Sequence, residues 1–282
     1  MWAKLSSDFK IANHPAILRT IWTIHLDVEN NINQTFNQCE RILATVKRWE
    51  GWDIKNDAVT ETNREHVLWM LDLVDELYKP LSNICNIEDL IIMILVHDLW
   101  EYKIGDIAQT EKNAEGKKVE QKDEEKNMAI YLINQIKGEN LKNKCLWLLG
   151  RYFNFSLKNK NLWEIDDLYL VVKLLDTVQW YIFGLENIFQ VSLENDRQKT
   201  LEHMKENYEV IHEICRFLTS TVWSKVNKRY AKKTTTEWIY IIVDRITERI
   251  DARINALYWE DFHINTFKEY FKNRGFIDKY YK

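Results

Sequence analysis

An all-α fold is what this sequence predicts, and three observations carry the prediction. Only 7 Gly and 2 Pro occur in 282 residues, which leaves few sites for the tight turns that a β-rich chain needs. Apolar residues recur at three- and four-residue spacing along most of the chain, the period of a helix with one buried face. Hydrophobic residues make up 46% and charged residues 29%, enough to fill a substantial core and to solvate the faces opposite it.

Taken in order, Ile17, Ile21, Ile24 and Val28 repeat at helical spacing, and Ile42, Leu43 and Val46 resume the pattern, so two helices are predicted between His14 and Trp49. The polar stretch from Glu29 to Asn37 fits either their junction or a solvated face. Residues 50–62 are polar, include Gly51 and lead into Thr60-Glu61-Thr62-Asn63, a helix start. The helix it opens has His66 in its first turns, runs to about Tyr78 and is closed by Pro80. Asn86, followed by Glu88 and Asp89, caps the next helix, because an acceptor side chain and early carboxylates suit a helix N-terminus. Leu90, Ile91, Ile94 and Leu95 make that helix apolar on nearly every side up to Val96, which predicts a central, buried position. It carries His97-Asp98 and stops at Gly105.

Residues 110–127 are densely charged and aperiodic, a loop or lid before a solvated helix start. Helices are predicted at about 124–137, 140–152 and 165–189, the last placing Asp176 among Leu168, Val171, Val172, Leu175 and Val178. Two further stripes follow: Leu201, Met204, Tyr208, Ile211, Cys215, Leu218 and Val222, then Trp238, Ile242, Ile246, Ile250, Ile254 and Leu257. The basic run Lys225, Lys228, Arg229, Lys232 and Lys233 between them reads as a solvated turn. No repeat or low-complexity linker interrupts the pattern, so residues 1–282 read as one all-helical domain.

Several function classes are disfavoured. Neither G-x-G-x-x-G nor G-x-x-x-x-G-K occurs, which removes the common dinucleotide and P-loop readings. A net charge of −4 argues against nucleic acid as an obligatory partner. Cys39, Cys85, Cys145 and Cys215 are widely spaced with no C-x-x-C pair, as expected of reduced packing residues in a cytoplasmic protein. Met1 to Asp8 lacks the apolar core of a signal peptide, and no apolar run reaches the roughly 20 residues that span a bilayer, so no membrane is expected.

The chemistry concentrates where the apolar run Ile91 to Val96 meets His97, Asp98, Glu101 and Asp106. Burying such groups without partners costs several kcal/mol each, roughly 2–7. A bound metal ion would supply the partner, since imidazole and carboxylate are usual ligands of a borderline divalent metal. His66 and Asp176 also sit in or beside apolar helical segments, so three helices offer ligands that could converge in a bundle core. If the helix bearing His97 continues, Glu101 projects from the same face.

This combination resembles a known family. Glu65-His66, His97-Asp98-Leu99-Trp100-Glu101, Gly105-Asp106-Ile107 and Lys173-Leu174-Leu175-Asp176 are similar to the HD-domain metal-dependent phosphohydrolase superfamily, in its 5′-deoxynucleotidase-like branch. Arg48-Trp49 stands where that branch carries an Arg-Trp pair before the first histidine. The resemblance covers residues 40–192 and implies an HD-domain helical bundle with additional N- and C-terminal helices, the last part, 193–282, packed on it as an extension. It implies that His66, His97, Asp98 and Asp176 bind one divalent metal ion, Mn, Co, Mg, Zn or Fe. Glu101 and Asp106 then stand near the attacking water, and Arg48, Trp49 and Lys173 near the substrate.

The function so implied is release of phosphate from a (deoxy)nucleoside 5′-monophosphate, a small-molecule nucleotide substrate, by a protein expected to be a homodimer. The alternatives are triphosphohydrolysis of a deoxynucleoside triphosphate and a catalytically silent HD-fold protein that binds a nucleotide or another chain. Val67 stands where the family commonly has Ser, and Ala108-Gln109 where a Pro commonly follows Gly-Asp-Ile, departures that bear on the substrate more than on the metal. No histidine lies between His97 and His203, which favours one metal over two. His14, His25, His203, His212 and His263 belong to no spaced cluster and read as surface or hydrogen-bonded residues. Arg48-Trp49 also fits a plain helix-end pair, and Trp100 a wall beside the site.

Overall fold

The computed structural model describes residues 13–21, 39–45, 48, 61–99, 101, 117–136, 138–153, 166–189 and 196–200, with scattered positions between 203 and 253. Among these, every regular element is a helix, so the all-α expectation holds. The chain divides into two compact units, Met1–Tyr78 with Asn86–Ser156, and Lys79–Cys85 with Leu157–Lys282.

The first unit begins with α1 (Pro15–Ile21). His14 precedes it: its Nδ1 accepts from the Ala16 N–H at 3.2 Å, so the ring proton is on Nε2, which donates to Asp72 Oδ1 at 3.0 Å. This histidine is a buried hydrogen-bonded residue. Helix α2 (Asn63–Glu76) starts as its sequence predicts, with Thr62 as N-cap. It ends before Tyr78, however. Leu77 caps it, and Pro80 falls inside a separate short helix, α3 (Tyr78–Ser82), in a first turn where its missing N–H leaves no bond unmade.

Helix α4 (Ile87–Val96) is capped by Asn86, whose side chain accepts from the Asp89 N–H at 3.0 Å. Its apolar residues are buried all round, each contributing about 1.5–3 kcal/mol. It packs against α1, α2 and α6 (Glu139–Phe153), which makes it the central helix of this unit. Helix α5 (Lys117–Ile133) packs on α6. It starts inside the segment read as a loop or lid, because the Lys, Glu and Gln residues from 117 onward are good helix formers despite their charge. It also stops short of 137; the chain turns at Gly138, whose φ of 103° is open to glycine and strained for other residues.

In the second unit, Asp166 Oδ1 accepts from the N–H groups of Leu168 and Tyr169 at 3.0 and 3.3 Å and starts α7 (Asp167–Phe183). A π-helical turn, Gly184–Ile188, continues it. This 22-residue stretch, Asp167–Ile188, is long and apolar enough to cross a membrane, a property that the count of continuous apolar runs did not show; 18 consecutive residues of it have a mean hydropathy of 1.3, and 72% of that part is buried inside the protein, as in a core helix. The rings of Trp180, Tyr181, Phe189 and His203 pack together. From the two C-terminal stripes, Met204, Ile211, Ile242, Ile246 and Ile250 are buried. The other stripe positions, the basic run and the segments 22–38 and 102–116 lie outside the described residues.

Candidate metal centre

Two local features aim the first unit's polar groups at one another. At the start of α2, the Thr62 hydroxyl accepts from the Glu65 N–H at 3.2 Å, while Glu65 Oε2 accepts from the Thr62 N–H at 2.7 Å. This reciprocal cap fixes the first turn and with it His66. At the other end of the site, α4 stops at Val96, and His97, Asp98 and Leu99 form a turn. Glu101 therefore does not follow His97 in one continuous α-helix. It is instead tied back through its own N–H, which donates to the Asp98 carbonyl at 3.1 Å.

His66, His97 and Asp98 converge. Asp98 Oδ2 lies 3.2 Å from His97 Nε2 and 3.6 Å from His66 Nε2, and one nitrogen from each ring lies within 4.8 Å of the other. His97 Nδ1 is 2.6 Å from the Ile94 carbonyl, which can only accept, so Nδ1 carries the proton of the neutral ring and the Nε2 lone pair faces Asp98. A lone pair aimed at a carboxylate oxygen is repulsive unless the ring gains a second proton or a cation lies between them. His66 turns its Nδ1 toward Glu61 Oε1, 3.9 Å away.

Around these ligands lies a buried polar network. Arg48 Nη1 donates to Asp98 Oδ2 at 2.8 Å and to Asn63 Oδ1 at 3.4 Å. Asn63 Nδ2 donates to Glu101 Oε2 at 2.6 Å. Arg48 Nε lies 3.7 Å from Glu61 Oε1, and the Arg48 N–H donates to the Glu61 carbonyl at 2.8 Å. His66, His97 and Asn63 are fully buried, and Glu61, Glu101, Arg48 and Asp98 are 2, 3, 6 and 7% exposed. Burial on its own would push the Asp98 carboxyl up. Positive charge on His97 when its ring carries a second proton, then Arg48 and His66, outweigh that and hold it well below the usual carboxylate range.

The residues present fit a divalent ion. Among the described residues, Glu61, Asp98 and Glu101 bring three carboxylates to this network and Arg48 one guanidinium, an acidic setting that suits a divalent cation. The donor types are those of a borderline divalent metal. Bonds of about 2.0–2.2 Å put neighbouring ligand atoms roughly 3–3.5 Å apart, close to the 3.2 and 3.6 Å found between Asp98 Oδ2 and the two imidazole nitrogens. His97 also has the backbone carbonyl on its far nitrogen that metal-bound histidines commonly have.

The remaining candidates fall in two groups. Asp176 and Lys173 belong to the second unit, on α7, where Lys173 Nζ donates to Asp176 Oδ2 at 2.5 Å and Asp176 is 9% exposed. One turn earlier, burial raises the Tyr169 phenol above its ordinary pKa, with Lys173 lowering it and Asp176 adding to the rise. Trp49, Asp106 and Trp100 lie outside the described residues, as do His25, His212 and His263. Sequence reading missed Glu61 and Asn63. Both flank an N-cap, a position where polar side chains normally face water, and no spacing marked them as buried.

A family model described as HD domain matches residues 41–215 of the chain. A comparison with curated proteins finds no match.

Proposed function

The chain belongs to the HD-domain family, whose members are metal-dependent phosphohydrolases in general, and on that premise we propose that it releases phosphate from (deoxy)nucleoside 5′-monophosphates. The observation that carries the reading is the convergence of His66, His97 and Asp98 in a buried network that also holds Glu61, Glu101 and Arg48. A divalent ion held there supplies Lewis-acid polarisation of a phosphoryl oxygen and acidifies water. Glu101 orients the attacking water and accepts its proton. Arg48 and Lys173 balance charge that builds on the phosphate oxygens. Asp176 is the proposed fourth ligand, and Asp106 a second carboxylate near the water; both roles rest on the resemblance of their motifs.

The monophosphate preference and the 5′-deoxynucleotidase-like branch are supported by the string from His97 to Ile107 and by Arg48-Trp49 ahead of His66. The test is a panel of deoxynucleoside mono- and triphosphates incubated with the protein and Mn²⁺ or Co²⁺, with the products identified. Inorganic phosphate from monophosphates is expected, together with its loss in Asp98→Ala and weakened metal binding in Asp176→Asn. Tripolyphosphate from triphosphates would replace the monophosphate reading with the triphosphohydrolase one. No product from any nucleotide, with metal bound, would overturn both.

A further inference from the structure

Asn63 is the first residue of α2 and is fully buried, yet the reaction outlined above gives it no part. Its Nδ2 donates to Glu101 Oε2 at 2.6 Å, and its Oδ1 accepts from Arg48 Nη1 at 3.4 Å. These partners fix the amide's orientation. A carboxylate only accepts and a guanidinium only donates, so a reversed amide would lose both bonds. Arg48 Nη1 is itself 4.0 Å from Glu101 Oε2, an ion pair without a hydrogen bond, while the same nitrogen donates to Asp98 at 2.8 Å. A neutral amide thus stands between a buried cation and a buried carboxylate that would otherwise close on each other.

Resting on the phosphohydrolase reading, we infer that Asn63 is a positioning residue: it holds the Glu101 carboxylate off Arg48 and in the orientation that serves the attacking water. Arg48 then remains directed at Asp98. The amide does this without adding charge to the network.

Two variants test the role. Asn63→Asp keeps the shape and the acceptor for Arg48 but faces Glu101 with an oxygen, and an acidic residue suits the first turn of a helix. Asn63→Ala removes both contacts. With Mn²⁺ saturating, each is expected to lose about 10–100-fold in kcat, while Asn63→Ala, which adds no charge, keeps the wild-type KM and the wild-type Mn²⁺ dissociation constant measured by calorimetry. In a Glu101→Ala background, Asn63→Ala is expected to cost nothing further, because the group it positions is gone.

Wild-type kcat in both variants would overturn the inference. So would an equal loss in the Glu101→Ala background, or failure of both variants to fold by circular dichroism, since either result makes Asn63 structural. Failure of the underlying reading is seen without touching Asn63: wild type releases no phosphate, or Glu101→Ala hydrolyses as fast as wild type, and the inference falls with it.

Discussion

At the scale of single residues, Asp98 Oδ2 receives Arg48 at 2.8 Å while two imidazole nitrogens face the same oxygen. Arg48 therefore compensates Asp98 and, through its Nε, Glu61. Removing one partner of a buried ion pair leaves an uncompensated charge, which typically costs about 3–5 kcal/mol. With metal stripped by chelator, Arg48→Ala is expected to lower the unfolding free energy by about that amount, read from urea titration; an unchanged midpoint would show that the guanidinium carries no such load. His66, His97 and Asp98 were legible in the sequence because ionisable groups stood inside apolar helical patterns. Glu61 and Asn63 were not. A helix N-terminus attracts polar residues whether it faces solvent or core, and only the packing of α2 on α4 shows which applies.

At the scale of elements, local chemistry fixed the helix starts better than the helix ends. Thr62 and Asn86 cap α2 and α4 through the side-chain bonds that their types favour. No Gly or Pro marks the end of α4 before Gly105, yet the helix stops at Val96, and the turn that follows brings Asp98 toward both histidines. A different close approach governs the end of α7: a Cβ placed on Gly184 would meet the Phe189 ring at 2.7 Å. Phe189 is fully buried against Trp180, Tyr181 and His203, so the ring has little room to retreat. Gly184→Ala is expected to destabilise the protein by about 1–3 kcal/mol, the usual cost of overpacking, and thermal unfolding at the wild-type temperature would contradict it.

At the scale of the whole molecule, scarcity of Gly and Pro with pervasive helical spacing was enough to give the fold class, and the spaced polar motifs were enough to give the family. The division into Met1–Tyr78 with Asn86–Ser156 and Lys79–Cys85 with Leu157–Lys282 left no compositional mark, because no low-complexity or Gly-rich linker accompanies any of the three crossings. Nor does composition show the acidic character of the site: the net charge of −4 is spread over 282 residues, whereas Glu61, Asp98 and Glu101 are drawn into one network around Arg48. Those carboxylates, with the facing histidines, are the basis for a divalent ion. Equilibrium binding of Co²⁺ to the metal-stripped protein, followed by calorimetry with wild type and His97→Ala in parallel, tests it directly. Saturable binding by wild type that is lost in a folded His97→Ala is the result predicted; no binding by wild type, or equal binding by the two, would contradict it.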